Sequence, residues 1–200
     1  METLAGVCLR TSLEEFGEMK LTYYTIVDSP IDPLLLRSDG ENLTGVFMDA
    51  HKRGPLVEEA WQERPDLPVL AQAKEQLGKY FAGTLREFDL PLKGEGTEFQ
   101  QAVWAELLKI PYGTTWSYGE LAKRIGDVKA SRAVGAANGK NPISIIVPCH
   151  RVIGTSGALT GFGGGLARKS MLLGLEWAVL FSETAEEFWS ANALATIGTA

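Results

Sequence analysis

The chain has 200 residues, of which 45% are hydrophobic, with a formal net charge of −6 and a pI of about 5.1. This length can bury a core, and the sequence has neither a membrane-spanning run nor a secretory signal. With only two cysteines a disulfide framework is excluded, which favours the cytoplasm, and the acidic average disfavours nucleic acid as a partner.

The first half of the chain predicts a small α+β unit after a weakly patterned extension, residues 1–20. Three segments have the composition or flanking turns of strands: Leu21–Val27, Leu34–Leu36 and Leu43–Met48. The hairpin signal Asp39-Gly40 joins the second and third of these strands. Apolar residues at helical spacing predict a helix over Val69–Phe81, which Gly83 ends. Residues 21–96 are therefore expected to form one domain, with this helix packed on a meander.

The second half predicts short helices with recognisable starts. Thr97 and Ser117 each begin a capping-box pattern. The first of these helices is expected to bury three apolar residues on one face: Phe99, Val103 and Leu107. A helix over Lys129–Gly139 follows a glycine-containing turn, which together with the preceding helix makes a helix-turn-helix pattern. A closing helix over Leu166–Glu176 completes a domain of residues 97–177, and the tail, residues 178–200, is left without an assigned structure.

Charge is distributed unevenly along the chain. Residues 1–98 carry a net charge of −8, residues 99–178 carry +5, and residues 179–200 carry −3. The acidic average therefore conceals a basic module. This asymmetry predicts two domains with different partners.

The helix after the turn has almost no large side chains. Its sequence, Ala130–Gly139, contains mainly alanine, glycine and serine, with Arg132 as its one long side chain. Such a helix cannot read many base edges, but its backbone can approach DNA closely. Tight burial against a neighbouring helix is the alternative that its composition leaves open.

A cysteine followed by a histidine suggests nucleophilic chemistry. Cys149-His150 follows an apolar run, and a nearby imidazole can take the proton of a thiol. If this segment is extended, the two side chains point to opposite faces, and a bridging water or a bend in the chain could link them. Glu176 is the carboxylate best placed to orient the histidine. The alternative is that Cys149 is a small buried hydrophobic residue.

Other binding chemistries find little support in the sequence. Cysteine and histidine occur at four positions without the spacing of metal ligands, and no metal or cofactor is expected: Cys8, His51, Cys149 and His150. The glycine-rich run Gly161–Gly165 lacks the lysine and the βαβ context of a phosphate loop. It is better suited to a sharp turn or to close approach of a flat ligand.

The motifs of the second half, in their order and spacing, resemble the O6-alkylguanine-DNA alkyltransferases, the methylated-DNA–protein-cysteine methyltransferases. The core of the resemblance is Ile146–Val152, read as IVPCHRV. The other matching segments are Phe99–Trp104, Ile110–Gly113, Ser117–Ala122, Arg132–Gly135, Asn141-Pro142 and Gly163–Leu166. The resemblance implies an α+β fold: an N-terminal α/β, ribonuclease H-like domain and a C-terminal winged helix-turn-helix-like helical domain.

The resemblance also implies a reaction. An alkyl group would move from guanine O6 in duplex DNA to Cys149, and the protein would act once. His150 would take the thiol proton through water, Glu176 would hold the imidazole, and Asn141 would brace the turn that carries them. Tyr118 would donate a proton to the leaving guanine.

For DNA, the resemblance implies base flipping, with Arg132 filling the gap in the stack and the small-residue helix lying in the minor groove. The other residues expected to contact substrate or DNA are Ser117, Tyr118, Ala133, Gly135, Ala136, Arg151, Val152, Phe162 and Gly163. The implied partner is double-stranded DNA, bound by a monomer or in cooperative assemblies on DNA, without a membrane. Binding is expected to be weak, salt-sensitive and non-specific.

Two positions depart from the family pattern, and two other classes of protein compete with it. Asp32 stands where glycine is expected in a turn, and Phe162 stands where tyrosine is common. A lesion-binding alkyltransferase-like protein would lack the cysteine, but Cys149 is present. A cysteine hydrolase with a Cys-His-Glu triad would differ by turning over repeatedly.

Overall fold

A computed structural model describes residues 21–48, 57–181 and 184–197 of the chain. The predicted extension with Cys8, and the candidate metal ligand His51, lie outside these residues. Within the described ranges, no helix has the length and apolar character to cross a membrane.

The N-terminal part is a four-stranded sheet with a helix packed against it. Its strands are β1 (Tyr23–Val27), β2 (Leu34–Ser38), β3 (Leu43–Met48) and β4 (Gln62–Glu63). β1, β2 and β3 form the predicted antiparallel meander, while β4 pairs in parallel with β1, giving the order β3-β2-β1-β4. The sequence did not predict β4, because two polar residues carry no periodic signal.

Helix α1 (Pro68–Phe81) covers this sheet, as its apolar spacing predicts. Proline in its first turn suits the helix start, where no backbone donor is needed. Its inward face buries Leu70, Ala73, Leu77 and Tyr80. Burial of this apolar stripe, rather than helix propensity, accounts for most of its stability.

The C-terminal part is mainly helical. Its helices are α2 (Glu98–Leu107), α3 (Tyr118–Arg124), α4 (Ser131–Asn138), α5 (Leu166–Leu180) and α6 (Ala185–Ile197). Both predicted capping boxes are present, at Thr97 and at Ser117. The prediction for the buried face of α2 was wrong in one position: Phe99 is 39% exposed, and Trp104 is buried instead.

The helix-turn-helix pair of α3 and α4 packs on α2. Trp104 Nε1 of α2 donates to the carbonyl oxygen of Ala137 at 2.9 Å, which fixes α4 against the core. Beside this pair, two short strands pair in parallel, β5 (Trp116–Ser117) and β6 (Val152–Ile153). They bring the start of α3 next to the segment that contains Cys149. The mixed α+β fold class is therefore confirmed, with the helices concentrated in the second part.

Backbone hydrogen bonds join the two parts of the molecule. Val46 of β3 donates to the carbonyl of Pro142 and accepts from the amide of Ser144, at 2.9 and 3.2 Å. Asp32, in the turn before β2, has a left-handed backbone (φ 82°), a conformation that aspartate tolerates. Its carboxylate accepts from Arg168 Nε of α5 at 2.8 Å. The departure at Asp32 is thus accommodated by an ion pair between the two parts.

Within the tail, residues 185–197 form a helix that packs on the N-terminal part. α5 continues to Leu180, beyond the predicted end at Glu176, and α6 follows. Trp189 Nε1 donates to the carbonyl of Phe81, the last residue of α1, at 2.9 Å, and the two rings pack edge to face. The segment that the sequence left unassigned therefore braces the end of α1.

Candidate active site

Cys149 lies in a 3-10 turn, Cys149–Arg151, rather than on the extended segment considered from the sequence. Four residues earlier, Ile145 is fully buried with a left-handed backbone (φ 73°), which is unusual for a β-branched residue. Strain of this kind persists only where the surroundings enforce it, and it is common at functional sites. The chain is therefore bent sharply just before the cysteine.

Asn141 holds this bend from inside. Its Nδ2 donates to the carbonyl of Val147 at 2.8 Å, and its Oδ1 accepts from the amide of Ile143 at 3.0 Å. Asn138, at the end of α4, donates to the carbonyl of Cys149 at 3.3 Å. Both asparagines are buried. Side-chain amides thus replace the backbone partners that a bent, buried segment lacks.

Glu176 of α5 is the centre of a buried polar network. Its Oε1 accepts from His150 Nε2 at 2.9 Å and from Arg151 Nη2 at 2.9 Å. Its Oε2 accepts from Arg151 Nε and from the amide of Gly113, at 3.0 and 2.9 Å. A third residue, Tyr80, also donates to Oε1, through its hydroxyl at 2.9 Å. Glu176 is fully inaccessible to solvent.

This network fixes the protonation of its members. Burial alone would raise the pKa of Glu176, but the charges and hydrogen bonds of His150 and Arg151 lower it to about 2. Burial lowers the pKa of His150, and Glu176 opposes that shift. With the carboxylate ionised, His150 donates from Nε2, which leaves Nδ1 as the acceptor. Nδ1 is buried and has no hydrogen-bond partner among the described residues.

The Cys149 thiol is almost fully buried, and burial raises its pKa. A hydrogen bond from Asn141 and the positive charge of Lys169 act in the opposite direction. Lys169 itself is buried, and its Nζ donates to the carbonyls of Val152 and of Thr160. Burial lowers the pKa of Lys169 to about 8. The sequence did not reveal this lysine, because a basic residue in a helix ordinarily predicts a surface position.

Aromatic rings lie beside the thiol and the imidazole. The ring of Phe162 lies edge to face with His150, with ring centroids 6.5 Å apart. The Tyr118 hydroxyl donates to the carbonyl of Thr160 at 3.1 Å, and burial raises the pKa of Tyr118. Val152 is fully buried, whereas Gly163 is partly exposed in the glycine-rich loop. Of these residues, Tyr118 lies against α4, where its ring faces Gly135.

Helix α4 has one buried and one exposed face. Val134, Ala137 and Asn138 pack inward. The outward residues are small apart from one: Arg132, Ala133 and Ala136 are exposed, and Gly135 lies partly exposed against the Tyr118 ring. Ser117 caps α3, with its oxygen accepting from the amide of Glu120. The alternative of a fully buried small-residue helix is therefore excluded.

One predicted DNA contact requires correction. Arg151 was expected to contact substrate or DNA, but it is 6% exposed and points into the network. Its Nε and Nη2 donate to Glu176, and its Nη1 donates to the carbonyl of Ile110 at 2.7 Å. A guanidinium is planar and matches a carboxylate with two parallel bonds, which explains its inward position.

Within the described parts of the chain, no group of three or more His, Cys, Asp or Glu side chains could hold a metal ion. The described residues instead combine a buried thiol, bonded through its backbone to α4, with an imidazole that is bonded to an ionised carboxylate. Fold and site therefore define a two-part protein with a buried thiol and a His-Glu pair in its helical part.

Known proteins match both domains. The family described as 6-O-methylguanine DNA methyltransferase matches with its ribonuclease-like domain at residues 22–93 and its DNA binding domain at residues 98–178. The methylated-DNA–protein-cysteine methyltransferase of Methanosarcina acetivorans is 53% identical over 77% of this chain and 97% of that relative. The Mycobacterium tuberculosis (strain H37Rv) relative of the same name is 54% identical over 78% of this chain and 93% of that relative.

A solved structure agrees with these relatives. The crystal structure of Mycobacterium tuberculosis OGT in complex with DNA has a TM-score of 0.76 and 50% identity, and the match covers 84% of this chain and 98% of that chain. The chain belongs to the methylated-DNA–protein-cysteine methyltransferase family. Helix α6 lies beyond both matched domains.

Proposed function

We propose that this protein repairs DNA by moving an alkyl group from O6 of guanine to the sulfur of Cys149, once per molecule. The observation that carries the proposal is the burial of Cys149, His150 and Glu176 in one site, with His150 bonded to Glu176 and Cys149 bonded to Asn138 on the inner face of α4, whose opposite face is small and exposed. The names of the relatives support the same reaction.

The proposed reaction is a displacement at the alkyl carbon. The Cys149 proton passes through water to His150 Nδ1, the sulfur–carbon bond forms, and the bond between the alkyl carbon and guanine O6 breaks. The leaving guanine anion takes a proton from the Tyr118 hydroxyl, which regains one from solvent, while His150 releases the thiol proton to solvent. The products are a thioether and guanine, and no oxidant or cofactor is consumed. A thioether is a poor leaving group, so the protein is used up.

The electrostatics of the site suit this step. A buried thiol is poorly ionised at rest, since burial raises the pKa of Cys149. His150, held by Glu176, accepts the proton, while Lys169 and Asn141 stabilise the thiolate. The thiolate then exists chiefly when substrate is bound, and its reaction with other electrophiles is limited.

DNA recognition is proposed for the exposed face of α4. The target base lies inside the stack and must be flipped out to reach Cys149. Arg132 is the long exposed side chain beside three small residues, so it can enter the stack while the helix backbone lies in the minor groove. The proposed pocket for the flipped base comprises Tyr118, Val152, Phe162 and Gly163, with Ser117 at its edge.

The proposed partner is double-stranded DNA that contains O6-alkylguanine, bound by a monomer that can assemble cooperatively along it. The thiol requires a reducing compartment, which favours action in the cytoplasm. Domain boundaries at residues 21–96 and 97–177 are proposed, although α5 continues to Leu180.

The test is an intact mass measurement. The full chain is mixed with a duplex containing one O6-methylguanine, with Cys149→Ser as the control. The proposal expects a gain of one methyl group by each wild-type molecule, located at Cys149 by peptide mapping, and no gain by the variant. An unmodified Cys149 after loss of the lesion would refute it. Repeated turnover without an adduct would instead indicate a cysteine hydrolase.

A further inference from the structure

A hydroxyl group of the N-terminal domain reaches the centre of the C-terminal site. Tyr80 lies in the last turn of α1, and its side chain is fully buried. Its Oη donates to Glu176 Oε1 at 2.9 Å, although the two residues are 96 positions apart in the chain. The same Oε1 accepts the hydrogen bond of His150 Nε2, also at 2.9 Å. Tyr80 and His150 therefore share one carboxylate oxygen, which also accepts from Arg151 Nη2 at 2.9 Å.

We propose that Tyr80 is a positioning residue of this site: by donating to Glu176 Oε1, it orients the carboxylate and limits the basicity of His150. The consequence for alkyl transfer rests on the proposed function of Cys149. The effect on His150 does not depend on that function, because it follows from the shared oxygen alone.

The surroundings of Tyr80 keep its hydroxyl in place. Its ring packs against those of Phe81, Phe88 and Tyr112, with ring centroids 5.4, 5.5 and 6.0 Å apart. Trp189 of α6 fixes the adjacent Phe81 carbonyl from outside. Burial and the nearby carboxylate raise the pKa of Tyr80 well above its ordinary value. The hydroxyl therefore remains protonated, and it acts as a donor over the whole physiological range.

Loss of this donor should shift the pKa of His150 in a predictable direction. A hydrogen bond to a carboxylate oxygen stabilises its negative charge and weakens it as an acceptor for other donors. Without the Tyr80 hydroxyl, Oε1 interacts more strongly with His150, so the imidazolium is favoured and the pKa of His150 rises. Because only neutral His150 can accept the thiol proton, the acidic limb of the transfer rate moves to higher pH.

Two matched variants of the full chain isolate this effect. Tyr80→Phe removes the hydroxyl and keeps the ring. Tyr112→Phe removes a neighbouring hydroxyl that is also buried but has no hydrogen-bond partner among the described residues. The Tyr112 ring lies 5.6 Å from the guanidinium carbon of Arg151, so the control probes the same surroundings without a bond to Glu176.

Two readouts are compared for each variant. The first is the methyl-transfer rate with an O6-methylguanine duplex between about pH 5 and 9, where imidazole titrates. The second is an NMR titration of the His150 ring without DNA. The chain has two histidines, so His51→Gln assigns the signal.

Tyr80→Phe should raise the midpoint of the acidic limb of the transfer rate and the midpoint of the His150 titration, each by about half a pH unit to one pH unit. Tyr112→Phe should leave both midpoints unchanged. Unmoved midpoints with reduced thermal stability would reduce Tyr80 to a packing role and overturn the proposal. Equal shifts in both variants would do the same. If the wild type transfers no methyl group, the proposed function fails, and the histidine titration still decides the role of Tyr80.

A third variant covers the case in which Tyr80→Phe does not fold. Replacement of residue 80 by 3-fluorotyrosine keeps the size of the side chain and makes the hydroxyl a stronger donor. It should move the His150 midpoint to lower pH, opposite to the shift expected for Tyr80→Phe. An upward shift, or no shift, would contradict the proposal.

Discussion

Two regions of the C-terminal domain carry the two parts of the proposed function, chemistry and DNA binding, and they differ in solvent exposure. Around Glu176, the donating side chains of Tyr80, His150 and Arg151 are all buried and bond to the carboxylate. On the outer face of α4, Arg132, Ala133 and Ala136 are exposed to solvent. Substitutions in the buried network should therefore change the transfer rate, the free energy of unfolding and its pH dependence together. The exposed face should affect DNA binding alone, because its side chains contribute little to the fold.

The largest effect is expected from Glu176→Gln. This change leaves Arg151 as a buried cation without its anion, which typically costs about 3–5 kcal/mol of unfolding free energy. It also removes the carboxylate that holds His150, so methyl transfer should fall by about 100-fold or more. Denaturant unfolding and transfer to an O6-methylguanine duplex measure the two losses.

The double variant Glu176→Gln with Arg151→Met separates these losses. Without the orphaned cation, the double variant should recover most of the stability, but none of the transfer. Recovery of transfer together with stability would show that the carboxylate serves only the fold.

The second prediction concerns the stability of the fold at low pH. In the folded protein the pKa of Glu176 is lowered from its ordinary 4.5 to about 2. A lowered carboxyl pKa contributes stability that is fully present above pH 4.5 and is lost as the pH falls towards 2. The contribution is about 3 kcal/mol. Urea unfolding at a series of pH values should show this loss in wild type and a flatter profile in the double variant; parallel profiles would contradict it.

The features that the sequence predicted correctly are those that depend on local patterns. The capping boxes at Thr97 and Ser117 and the apolar spacing of α1 are local patterns, and the structure confirms them. The Cys149-His150 pair suggested a nucleophile and its base, the position of Glu176 suggested the orienting carboxylate, and the resemblance implied the same roles. The structure joins His150 to Glu176 by a hydrogen bond. Their catalytic roles stay predictions.

What the sequence missed depends on contacts between distant residues. Tyr80 reaches Glu176 across 96 residues, and Lys169 turns inward to two backbone carbonyls. Arg151 was assigned to substrate or DNA with the other residues of the family resemblance, whereas the structure turns it inward to Glu176. No local pattern distinguishes a buried, paired cation from a solvated one, so only the three-dimensional structure could place these residues.

The third prediction tests the exposed face. Arg132→Ala should slow repair of a duplex by about 10- to 100-fold, because the gap left by the flipped base is no longer filled. Reaction with free O6-benzylguanine and the midpoint of thermal unfolding should remain unchanged. Lys129→Ala is the matched control, since Lys129 is an exposed base beside α4. An equal loss in both variants would reduce Arg132 to a source of positive charge.

The smallest effect is expected from Ala136→Leu, which adds bulk to the outer face of α4 without changing its charge. Leucine is a good helix former and Ala136 is exposed, so stability should hold. If the helix backbone must enter the minor groove, the added side chain holds it away, and duplex affinity should fall by about 10-fold. Ala71→Leu, at an exposed position of α1, should leave affinity unchanged.

Binding is measured by fluorescence anisotropy at fixed salt, since counterion release makes affinity depend on salt. Unchanged affinity in Ala136→Leu would mean that small residues on α4 serve only its packing, and the contrast between the two regions would then rest on Arg132 alone.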